Sequence, residues 1–156
     1  METGPEFAFI AQNIELAIAP VFLIAGIGAL LNVLTSRLAR VVDRGRALEA
    51  EIASEPEGEP REMHKEELAG LDVRMVRINR AIMLATLAAL LICVVIVSLF
   101  TAEIVHVDLS TVIAGLFIGA MLALILGLIS FMGEIAISAK SLRVTQQYRH
   151  KHRSRA

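Results

Sequence analysis

The chain is 156 residues long, 56% hydrophobic and 20% charged, with one Tyr, one Cys and no Trp. A soluble domain averages about 45–50% apolar residues, and the excess here is gathered into uncharged runs, which excludes an ordinary soluble domain. The net charge of -1 conceals a segregation of basic residues, and the lone Cys93, midway along an apolar run, excludes a disulfide framework.

Charge is absent from residues 16–36, 81–102 and 109–133. A membrane-crossing helix needs roughly 20 such residues, and none of the runs has a polar face on which a soluble helix would meet water. The sequence therefore predicts an all-α membrane protein: three transmembrane helices with a cytoplasmic antiparallel helical hairpin between the first and second spans. In chain order this gives an external lead over 1–13, a first transmembrane helix over 14–36, a hairpin over 37–80 with its turn at 54–60, a second transmembrane helix over 81–102, an external connection over 103–109, a third transmembrane helix over 110–134 and a basic tail over 135–156. All fifteen Lys and Arg fall within 37–80 and 140–155. Cytoplasmic segments beside span ends collect basic residues, so the N-terminus is expected outside and the C-terminus in the cytoplasm. The first run has no basic leader and follows Glu2, Glu6 and Glu15, which fits a span and not a secretory signal.

Pro20 lies one turn inside the first span, where a proline either kinks the helix or sits in its first turn. Ala25, Gly26, Gly28 and Ala29 form a patch of small residues that lets helix backbones approach closely in lipid. Asn32 and Ser36, four apart, share a helix face. Asn32 fits an interhelical hydrogen bond or a ring of amides lining an oligomeric pathway.

Beyond Arg37 the pattern turns amphipathic. Leu34, Leu38, Val41, Gly45, Leu48 and Ile52 recur at spacings of four and three. Pro56, Gly58 and Pro60 break the run. Leu68, Leu71, Met75, Ile78 and Ile82 then resume it. The two halves mirror each other about Gly58, pairing Leu38 with Ile78, Val41 with Met75, Gly45 with Leu71 and Leu48 with Leu68, as in an antiparallel coiled coil. Arg37, Arg40, Arg44, Arg74, Arg77 and Arg80 crowd the inner boundary, with Asp43 and Asp72 among them. They set topology and meet anionic lipids at the inner face. Interspersed acids such as Glu49, Glu51, Glu62 and Glu66 speak against nucleic acid.

The second span carries Ala81, Ala85 and Ala89, and the third Gly115, Gly119, Ala123 and Gly127, each set at four-residue spacing suited to close helix packing. His106, Asp108 and Ser110 have the residue types of a hydrolase triad without its spacing. A helix N-cap at Asp108 or Ser110 accounts for them better. Glu134 closes the third run and is expected to reach the interface, to pair with an arginine, or to serve ion coupling. His150 and His152 alternate with basic residues in the tail and do not supply the four ligands of a typical metal site.

The stretches IAPVFLIAGIGALLNVLTSRLARVVDRGRALE and RINRAIMLATLAALLICVVIVSLF resemble the bacterial membrane family catalogued as domain of unknown function number twenty-seven twenty-one. The resemblance covers residues 10–148 and implies a three-span protein of the bacterial inner membrane. It implies no activity, cofactor or site residue.

An enzyme would need a nucleophile with its base, a metal cluster or a phosphate-cradling loop. With none in the sequence, no enzymatic activity, cofactor or metal is expected. Two functions fit. One is a homo-oligomeric membrane protein whose hairpin mediates assembly or binds a cytoplasmic protein partner. The other is a homo-oligomeric cation channel or transporter with an acidic outer vestibule, its pathway drawn from Glu15, Asn32, Glu103, Asp108 and Glu134.

Overall fold

The computed structural model describes the backbone of residues 5–105 and 107–153, and side chains at 15, 17–102, 104–105 and 107–135. The described residues form three helices: α1, Pro5–Ser54; α2, Glu59–Val105; and α3, Ser110–Arg153. Each contains a stretch long and apolar enough to cross a membrane, and the chain is a multi-pass membrane protein. The expected lead over 1–13 is helical from Pro5 onward, so Pro20 stands in the interior of α1 and not in its first turn. A proline there frees a carbonyl one turn back, which a lipid-embedded helix tolerates when neighbours compensate.

The turn between α1 and α2 is shorter than its composition suggests. Helix α1 ends at Ser54, and α2 takes up Glu59 and Pro60. The carbonyl of Gly58 accepts the first helical bond, from the Glu62 N–H at 3.3 Å. Pro60 thus falls in the first turn of α2, where a missing N–H costs nothing.

The contacts divide the chain into two units. The first comprises residues 1–36 and 82–127. At its centre Ile27 of α1 meets Ala85 and Ala88 of α2 and Ala123 of α3, with Leu23, Leu30, Leu31, Ala89 and Leu124 around them. Alanines at the contact allow the helix axes to come close, the device that drives helix association where lipid removes the hydrophobic incentive. Large side chains point outward instead: Phe22 is 74% exposed and Met83 65%. Such exposure is costly in water and neutral in lipid. The Thr35 hydroxyl, near the end of the first uncharged run, donates to the carbonyls of Leu31 and Asn32 at 2.9 and 3.1 Å.

The second unit comprises residues 37–81 and 128–156. Val41, Leu48, Leu71, Ile78 and Ala81 are buried in it, and Leu38, Leu68 and Met75 are half-buried. A Cβ built on Gly45 would stand 3.8 Å from Leu68. The mirror about Gly58 pairs Gly45 with Leu71, which is buried in the same unit.

Candidate functional site

Polar side chains of the second unit converge on the stretch of α3 that carries Ser130, Phe131, Gly133 and Glu134. Helical geometry explains who meets whom. Arg74 and Arg77, three apart, share a face of α2, and Ser130 and Glu134, four apart, share a face of α3. Arg37 is the first charged residue after the uncharged run of α1, and Glu134 the first after that of α3.

Glu134 is 1% exposed. Its Oε2 accepts from Arg37 Nη1 at 3.1 Å, and its Oε1 from Arg74 Nη2 at 3.2 Å and Nε at 3.4 Å. One carboxylate thereby joins α1, α2 and α3. A buried carboxylate is tolerable only when paired and hydrogen-bonded, and here each oxygen is held from a different helix. The sequence leaves Glu134 to reach the interface or to pair with an arginine; among the described residues two arginines hold it. The Arg37 guanidinium also lies 5.2 Å from the centroid of the Phe131 ring, close enough for a cation–π contribution. Arg77 Nη1 donates to the Gly133 carbonyl at 3.4 Å, and the Ser130 hydroxyl donates to the Arg77 carbonyl at 3.2 Å.

A second set of ion pairs lies near the turn. Arg44 donates to both oxygens of Glu67, at 3.0 and 3.2 Å, and lies 3.7 Å from Glu51. The Glu67 hydrogen bond, ahead of the charges of Glu67 and Glu51, raises the Arg44 guanidinium above its ordinary value. His64 stands between two carboxylates, its Nδ1 3.0 Å from Glu55 and its Nε2 3.8 Å from Glu51. Among the described side chains the buried Arg61 Nε has no hydrogen-bond partner.

Glu15, Asn32 and Asp108 are exposed. Glu15 and Asn32 are 17 residues apart on α1, roughly 25 Å along a helix. The side chain of Glu103 and the whole of His106 lie outside the described residues, as do the side chains of His150 and His152. Glu134, in the other unit, is held by arginines. Of the residues spaced for packing, Gly115 has nothing within 4 Å of a built Cβ and Gly119 has Leu91 at 3.8 Å, while Ala123 and Gly127 are buried.

Asp108 and Ser110 act at the start of α3. Asp108 Oδ1 accepts from the Ser110 hydroxyl at 2.6 Å and from its N–H at 3.0 Å. The hydroxyl bond first, and the backbone bond second, hold the Asp108 carboxyl below the usual carboxylate range. Both residues border an apolar cleft of about 680 Å³, lined among others by Pro20, Val95, Leu99 and Phe117. Among the described residues no group of three or more His, Cys, Asp or Glu is placed to hold a metal ion.

The arginine–glutamate junction escapes a reading of periodicity, since Arg37 and Glu134 are 97 residues apart. The available signal was the lone acid at the end of an uncharged run facing a boundary crowded with arginine.

A sequence model of the family described as Protein of unknown function (DUF2721) matches residues 17–144. No curated protein and no solved structure matches the chain.

Proposed function

The chain belongs to the DUF2721 family, and we propose that it serves as a non-enzymatic module of the bacterial inner membrane, whose paired helices between the first and second spans form a cytoplasmic hairpin that joins copies of the same chain. The basic residues at 37–80 and 140–155 favour a cytoplasmic hairpin and tail with the N-terminus outside.

The observation that carries the assembly reading is an apolar strip on α2 outside its uncharged run. Val73 and Val76 are 51% and 52% exposed. Ala69, on the same face, and Gly70 beside it are exposed as well, and a Cβ built on Gly70 would meet nothing within 4 Å. Half-exposed valines beside a bare glycine suit the close approach of a second helix, where burial of apolar surface is favourable by about 25 cal/mol per Å². Since the strip joins small and branched residues, it complements its own copy under two-fold symmetry. Sedimentation of the purified full chain in detergent tests this: the wild type is expected to be oligomeric, and a Val73→Arg, Val76→Arg double variant of unchanged helix content to be smaller. A monomeric wild type, or a double variant of unchanged size, overturns it.

A second reading, a homo-oligomeric cation pathway, has one observation in its favour. Asn32 is exposed within an uncharged run of α1, and an amide facing lipid is costly unless another copy or water covers it. Cation flux into liposomes that falls in Asn32→Leu and Glu15→Gln variants supports this reading; absent flux, or flux that neither change affects, removes it.

A further inference from the structure

The junction at Glu134 is over-supplied with positive charge. Arg37, Arg74 and Arg77 all reach the stretch 130–134 of α3, and in these contacts they meet one carboxylate, Glu134. Two of the three are pinned by it but not consumed. The Arg37 and Arg74 side chains stay 38% and 26% exposed, and Glu134 engages one edge of each planar, five-donor guanidinium. The contact described for the third, Arg77, is a long 3.4 Å bond to a neutral carbonyl, which a charged oxygen would outcompete. The position along the chain matters as well. Arg37 is the first charged residue after one uncharged run, Glu134 the first after another, and Arg77 lies one turn from the start of a third. Residues at such boundaries meet the phosphate layer of a bilayer.

We propose that Arg37, Arg74 and Arg77, pre-arranged by the buried Glu134 and by Phe131, form a seat for a single phosphate group, carried either by an anionic phospholipid or by free phosphate. Fixing two guanidinium groups on a buried carboxylate lowers the ordering cost of binding, and forked donors match phosphate oxygens in pairs. The seat differs from a diffuse basic surface in that specific arginines carry it.

Native mass spectrometry of the detergent-solubilised full chain, titrated with phosphatidylglycerol and separately with phosphatidylcholine, tests the proposal. Preferential retention of phosphatidylglycerol is expected, and Arg77→Gln should weaken it about fivefold, the share of one basic residue at a membrane surface. Arg46→Gln, which removes an exposed arginine about two and a half turns further along α1 from Arg37, should leave retention within about twofold. Arg77→Lys keeps the charge without the fork and should fall between wild type and Arg77→Gln; it serves in place of Arg77→Gln if that variant loses helix content. Excess inorganic phosphate distinguishes the two sources. Displacement of the lipid means that the seat takes phosphate as such, and retention means that the headgroup arrives with its acyl chains. Equal loss in the Arg46 and Arg77 variants, or no loss at Arg77, overturns the proposal.

Discussion

The two residues that reveal most about the second unit are Glu134 and Gly45. Removing the Glu134 carboxylate leaves Arg37 and Arg74 facing each other at 26–38% exposure without their shared partner. Breaking a fully buried pair costs about 3–5 kcal/mol, and partial solvent access to both guanidinium groups reduces this, so Glu134→Ala should destabilise the chain by about 1–3 kcal/mol in detergent–urea unfolding. Gly45 has the opposite prospect. It is buried in the interior of α1, and the nearest side-chain atom to an added Cβ, from Leu68, stands at an ordinary 3.8 Å. Since glycine in a helix interior forfeits about 0.5–1 kcal/mol relative to alanine, Gly45→Ala should raise stability by about 0.4–1 kcal/mol in the same measurement. A longer side chain there would press into Leu68 and reverse the sign.

At the scale of the helices, the start of α3 depends on pH. The Asp108 carboxyl is held low by its bonds to Ser110, so its stabilising effect is full above the ordinary carboxylate value of about 3.9 and is lost as the pH falls through the lowered value in the folded chain. Amide protection at residues 110–113, corrected for intrinsic exchange, should therefore drop only below about pH 4. Asp108→Asn keeps an acceptor and removes the titration, and should abolish that pH dependence. The three helices themselves were legible in the sequence because uncharged runs of 20 or more residues leave few other structures possible in lipid. The end of the first turn was harder to read. Pro60 looks like a helix breaker by composition, yet the first turn of a helix accepts proline, so α2 begins at Glu59, inside the stretch read as turn. The meeting of Arg37, Arg74 and Glu134 leaves no periodic trace, because it is set by the packing of three distant segments and not by any local pattern.

For the whole molecule, orientation decides how every functional proposal is to be read. Exclusion of Lys and Arg from the N-terminal stretch and from the connection between α2 and α3 predicts that the turn between α1 and α2 faces the cytoplasm. Glu57, at the tip of that turn, has a side chain 95% exposed, so a thiol placed there would be open to reagent from whichever side it occupies. In a Cys93→Ser background, Glu57→Cys should resist a membrane-impermeant maleimide on intact spheroplasts and react fully once the membrane is permeabilised. Reaction before permeabilisation would place the turn outside. The arginines beside Glu134 would then face the outer leaflet, and copies would meet through the Val73–Val76 strip on the outer side. Protection before permeabilisation and full labelling afterwards would leave the inner leaflet as the lipid source for the phosphate seat, and would tie assembly through α2 to the cytoplasmic side.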